Sequence, residues 1–175
     1  GSPDAAQPKP KPSKAVKAVA TKPPKASAKP TRDFPIATLE DALKIPQAIR
    51  SKNGGKPLST DLVATAYGLS KSNNKFYYAT AASRDFGLTS GTRDTARIEL
   101  TDFGRSLVYA KSEDEERKLK IEAFFKVPLF KQVYDYYEGN DLPEDQYLTN
   151  VLENEFKLDP SHHAEFVEAF KANCK

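Results

Sequence analysis

Cysteine is almost missing from this chain of 175 residues: Cys174 stands alone. One thiol cannot build an intramolecular disulfide framework, and its scarcity fits a reducing compartment. Long apolar runs are missing too. None approaches the roughly 20 residues that a membrane-spanning helix needs, so no membrane partner is expected. The sequence has no G-x-S-x-G, no Walker loop and no G-x-G-x-x-G. It has no Cys/His/Asp/Glu group with zinc spacing, and the side chains of the adjacent His162 and His163 diverge on a helix. These gaps argue against an enzyme, a bound cofactor and a metal. Residues 1–32 lack aromatics, Leu and Ile, and their one acid is Asp4.

That segment instead holds seven of the 13 prolines and eight Lys or Arg. It cannot bury enough apolar surface to offset its ordering entropy, so a disordered basic tail over residues 1–33 is expected. All ten Phe and all eight Tyr follow it. A body of this size can bury roughly two thirds of its unfolded surface, enough for a core. The net charge of +3 divides unevenly: +7 in residues 1–32, −1 at Asp33, +4 in 34–111 and −7 in 112–175. Charge blocks of this kind bear on partners and solubility, not on fold.

The hydrophobic period reads helical through most of the body. Thr38 caps a helix whose stripe is Leu39, Ala42, Leu43, Ile45 and Ile49, with Pro46 set to end or kink it. Ser59 or Thr60 caps a short helix with Leu62, Val63 and Ala66 facing inward, and Gly68 stops it. Ser70 caps the next, with Leu69, Phe76, Ala79, Ser83 and Phe86 on one face. The period then changes to two across Ala96–Thr101, and the only candidates for a partner strand are Leu88 and Thr89. A helix starts at Asp102. Beyond it Ser112 and Glu115 form a capping box, Pro128 opens a helix, and Asp159 caps a last helix with Pro160 in its first position. Cys174 lies on that helix's apolar stripe and is expected to be buried.

The order helix, helix-turn-helix, hairpin, closed by Ile98-Glu99-Leu100-Thr101-Asp102-Phe103-Gly104-Arg105, resembles a winged helix-turn-helix domain over roughly residues 36–110. The tail resembles linker-histone or nucleoid-protein tails in composition. The expected fold is therefore mainly α with a small antiparallel β-hairpin: tail 1–33, winged helix 34–110, and a helical extension 111–175 that packs on the wing, dimerises or forms a second helix-turn-helix-like unit. The resemblance implies that Ser70–Phe86 is a recognition helix for the major groove and that the wing touches backbone or minor groove. It implies double-stranded DNA as partner and a cytoplasmic, nucleoid or nuclear location.

The residues that would carry such binding each have a plainer reading. Lys71, Asn73, Asn74 and Lys75 sit where Asn can reach adenine edges and Lys phosphates, or they are a polar helix start. Tyr77 and Tyr78 could stack or approach phosphates, or one is core and the other half exposed. Arg84 lies on the same outer surface. Arg93 and Arg97 fit a narrow minor groove or phosphates, or a solvated hairpin in which Arg97 pairs with a cross-strand acid. Arg105 is read as structural, its stem along the wing. Lys14, Lys17, Lys22 and Lys25 would add salt-sensitive, sequence-independent affinity; otherwise the tail is a linker, or it folds back on Glu113–Glu116. The rival reading of the whole chain is a protein-interaction or assembly module, with the helical half as its surface and the tail as a tether.

Overall fold

The computed structural model describes residues 32–138 and 140–174. Among them are eight α-helices and one small antiparallel sheet. Helix α1, Leu39–Asn53, starts where the Thr38 hydroxyl accepts the Asp41 N–H at 3.1 Å. It runs unbroken past Pro46, whose ring is buried, and ends at Gly54 with φ +59°. Burying the ring against the core offsets the one ladder hydrogen bond that proline cannot donate.

Strand β1 is only Leu58–Ser59, and β2 only Thr89–Ser90; both pair with β3, Arg97–Leu100, in the order β1-β3-β2. The registers are Leu58 opposite Ile98 and Thr89 opposite Leu100. Leu88 and Thr89 are thus not the only partner: β1 lies on the other edge of β3. Helix α2, Thr60–Tyr67, follows β1 directly and is capped by the Ser59 hydroxyl. Only part of its expected inner face is inside. Val63 and Ala64 are buried, while Leu62 is 55% exposed and Ala66 is exposed.

Helix α3 spans Asn74–Asp85 and starts three residues later than a Ser70 cap would set it. Ser70–Ser72 form a turn, and the Asn73 side chain accepts the Lys75 N–H at 2.8 Å. Helix α4, Asp102–Val108, begins immediately after β3. Thr101 organises that junction: its N–H meets the Leu88 carbonyl at 3.1 Å, and its hydroxyl lies 2.5 Å from the Gly87 carbonyl while accepting the Gly104 N–H at 2.9 Å. Gly104 packs so closely that a Cβ there would sit 1.9 Å from the Leu88 carbonyl oxygen. The Leu-Thr-x-x-Gly stretch is therefore a device for pressing a helix start against a strand.

The remaining helices are α5 (Glu113–Phe125), α6 (Pro128–Tyr137), α7 (Asp145–Asn154) and α8 (His163–Asn173). The Ser112 hydroxyl accepts the Glu115 N–H, as its spacing requires. Asp159 does cap a helix at Pro160, but that turn is a 3₁₀ helix, Pro160–His162, before α8 begins. Cys174 is exposed, not buried; it lies one residue past the last turn, where the stripe has ended.

Two apolar clusters hold these elements. The smaller joins Ile45, Ile49, Leu58, Val63, Phe76, Ala79 and Ile98, between α1–α3 and the sheet. The larger takes Leu43 from α1, Ala82 from α3 and the adjoining Phe86, and joins them to side chains from α5 through α8. At its centre Phe130 lies 5.0 Å from Phe124, 5.7 Å from Phe166, 5.9 Å from Phe170 and 6.4 Å from Phe86, ring centre to ring centre. The first and last helices also share a hydrogen bond: the Leu39 N–H, an orphan donor of the first turn, reaches the Asn173 side-chain oxygen at 2.8 Å.

Candidate nucleic-acid interface

The outer face of α3 and the loop between β2 and β3 form one surface because the hairpin is bonded to the helix. Arg84 donates to the Gly91 carbonyl at 3.0 Å, and the buried Thr89 hydroxyl meets the Ser83 hydroxyl at 2.9 Å. Beyond them the Arg93 guanidinium lies over the Tyr77 ring, 4.5 Å from its centre. A desolvated contact of this type is worth about 2 kcal/mol and an exposed one about 0.5–1. Tyr77 is 41% exposed, so the pair stands at the surface; Tyr78 packs against Tyr77 edge-on and is half-buried. Neither tyrosine belongs to the core, contrary to the plainer expectation for one of them.

The loop is shaped by its own threonines. The Thr95 hydroxyl faces the carbonyls of Thr92 and Arg97, both at 2.8 Å, and accepts the Thr92 N–H at 3.0 Å. The Thr60 hydroxyl reaches the Thr95 carbonyl at 2.5 Å, tying the loop to α2. Gly91 takes φ +106°, and a Cβ there would meet the Arg97 carbonyl at 2.7 Å. Thr95→Val keeps the shape but removes the hydroxyl. It is expected to cost about 1 kcal/mol, with amide shift changes confined to residues 91–97; changes spreading into α1 would contradict this local role.

Lys71, Arg93, Asp94, Ser70 and Ser72 line a single open cleft, so the turn before α3 and the loop tip are neighbours. Lys71 is 3.9 Å from Asp61, a loose surface pair. Asn73 is spent on capping, while Asn74 and Lys75 are exposed at the start of α3. Arg97 is exposed and pairs in register with Ser59. Among the described residues none of Lys75, Arg84, Arg93 or Arg97 has an acidic side chain within 4 Å, so the expected cross-strand acid for Arg97 is not there. Arg105 does not run along the wing; it donates to the Gly55 carbonyl at 2.7 Å, in the turn after α1. Lys14, Lys17, Lys22 and Lys25 lie outside the described residues.

The far end of α3 is acidic. Asp85 lines a second cleft with Arg32, Asp33 and Gln132, and desolvation pushes its carboxyl above the usual range against the pull of Arg84. Arg32 donates to both oxygens of Glu165 at 2.7 and 3.0 Å. That fork holds the Glu165 carboxyl below its ordinary range and raises the guanidinium further.

Sequence reasoning read Thr60 only as a helix cap and missed Thr95 and Arg32. The pair Thr92-x-x-Thr95 is a recognisable hydroxyl-turn signal, whereas nothing in the composition of the tail separates Arg32 from the lysines before it. Among the described residues no group of three or more His, Cys, Asp or Glu could hold a metal ion. No helix there is long and apolar enough to cross a membrane. Compared with family models, with curated proteins and with solved structures, the chain matches none of them.

Proposed function

We propose that this chain is a non-enzymatic protein that binds duplex DNA through the start of α3 and the β2–β3 loop acting as a wing. The observation that carries the reading is the junction of Lys71, Tyr77 and Arg93: cations from the helix turn and from the loop face one cleft, and Arg93 is held by an aromatic ring instead of an acid. The order α1-β1-α2-α3-β2-β3, with sheet order β1-β3-β2, agrees with the order expected of a winged helix and supports the same reading. Asn74 is the group suited to adenine edges, Lys75, Arg93 and Arg97 to phosphates or a narrow minor groove, and Arg84 to holding the wing. Asn73 serves the fold.

Fluorescence anisotropy with a labelled duplex at two salt concentrations tests it. Lys75→Glu and Arg93→Glu are each expected to weaken binding about tenfold or more and to flatten the log–log salt slope by about 1. Unchanged affinity in both would show that the duplex, if bound, is bound elsewhere.

A second reading rests on a groove between α1, α5 and α6, lined by Leu39, Ile121, Phe125 and Tyr134, where Ile121 is 51% exposed. Such a surface suits a protein partner. A wild-type chain that leaves duplex DNA unbound at low salt would favour it.

A further inference from the structure

We infer that the turn after α1 and the outer side of α4 form a second anion surface, which takes the phosphate backbone of duplex DNA at a place separate from α3 and the wing.

The sequence prepares this surface by what it leaves out. Residues 42–60 and 103–112 contain no Asp or Glu, and together they carry Lys44, Arg50, Lys52, Lys56, Arg105 and Lys111. The fold lays one stretch against the other. Arg105 on α4 donates to the Gly55 carbonyl at 2.7 Å, and Arg50 on α1 donates to the Val108 carbonyl. The Arg50 guanidinium also lies over the Tyr109 ring, 4.5 Å from its centre. Gly55 is buried with φ +82°, and a Cβ there would sit 2.8 Å from Arg105 Nη1 and 2.9 Å from the Tyr109 hydroxyl. Glycine is what lets the turn close on α4.

The way these arginines are held decides what they can do. Carbonyls and an aromatic face fix a guanidinium without cancelling its charge. Each fork spends an N–H on its carbonyl and has further donors, in a planar array that suits phosphate oxygens. Lys52, Lys56 and Lys111 are exposed around them. Among the described residues, none of Arg50, Lys52, Lys56, Arg105 and Lys111 has an acidic side chain within 4 Å, whereas Lys44 is engaged by Asp41 at 3.3 Å. The last turn of a helix favours cations by itself, which accounts for Arg50 and Lys52 but not for Lys56, Arg105 or Lys111.

Acids border the surface where α5 begins. Glu116 lines a cleft with Arg50, but it sits 3.4 Å from Lys120, and Glu115 accepts the Lys111 N–H at 2.9 Å. A polyanion is therefore drawn to the side of Lys52 and Lys56. Cations spread over a helix end, a turn and a second helix match a run of phosphates, not one small anion. The wing lies elsewhere: β3 starts beside it at Arg97 and enters α4 after Leu100, about 10 Å further along the strand.

The salt dependence of duplex binding by the full chain tests this surface. Lys52→Gln, Lys56→Gln and Lys111→Gln together are expected to lower the log–log slope by about 2 to 3, near 0.9 for each lost phosphate contact. Lys118→Gln, Lys131→Gln and Lys157→Gln remove the same charge from exposed positions in the C-terminal half and should change the slope by less than about 0.5. A parental slope in the first variant overturns the inference and leaves those cations to an acidic protein segment. An equal drop in the second variant also overturns it, because net charge alone would then set the slope. Lys75→Glu and Arg93→Glu keep the two sites distinguishable. If they weaken binding and the three-lysine change at the turn leaves the slope alone, the α3–wing reading stands and this surface falls. The reverse result removes the α3–wing reading and keeps this surface.

Discussion

Phe130→Ala is expected to cost the fold about 4 kcal/mol in urea or guanidinium denaturation. Phe130 is fully buried and touches rings from four other parts of the chain: Phe34 before α1, Phe86 after α3, Phe124 on α5, and Phe166 with Phe170 on α8. Truncation removes the transfer energy of a phenyl ring and leaves a hole that five rigid neighbours cannot close. Aromatic pairs add roughly 0.5–1.5 kcal/mol each beyond area burial, so the loss belongs at the high end for Phe→Ala. Phe130→Leu should recover more than half of it. Leu62→Ala, on the exposed side of α2, should stay within about 0.5 kcal/mol. A Phe130→Ala loss below about 1 kcal/mol would mean that the rings are not packed as described.

Gly104→Ala is the second large effect, and two principles oppose each other there. Gly104 is inside α4, where alanine would ordinarily gain about 1 kcal/mol through helix propensity. The steric term runs the other way. A methyl 1.9 Å from the Leu88 carbonyl oxygen cannot be absorbed by a side-chain rotation, because the obstacle is backbone. Either α4 lifts off β2 or the strand yields, and both disrupt the Thr101 bonds to Gly87 and Leu88. Overpacking of this severity costs about 3 kcal/mol or more, so a net loss of at least 2 kcal/mol is expected. A melting temperature at or above that of the parent would show that propensity wins and that the close approach is not rigid.

Helices with strong local chemistry were legible in the sequence. Thr38 with Asp41, and Ser112 with Glu115, fix two helix starts by spacing alone, and the stripe of α1 predicts its buried side. What was hidden has physical causes. A strand of two residues shows no alternation, so Leu58–Ser59 became visible only through its pairing with β3. Ser70, Ser72 and Asn73 are all good caps within four positions, and which one wins depends on where Phe76 must sit to fill the small core. Pro46 reads as a breaker in isolation, yet burial outweighs the lost hydrogen bond. At the candidate site Arg93 and Tyr77 were each visible, but their contact spans 16 positions and no local pattern announces it. Arg32 was hidden for the opposite reason: its neighbours in sequence resemble it, and only Glu165, far along the chain, distinguishes it.

The hydrogen bond from the Leu39 N–H to Asn173 bears on how this protein is made. A nascent chain emerges from the ribosome with α1 first, but one donor of that helix's opening turn and the ring of Phe86 wait for partners on α6 and α8. Until α8 clears the exit tunnel, the apolar surfaces it covers are open to chaperones. Closure of the larger core thus waits for α8, and α3 reaches its final setting only once that helix is free to pack.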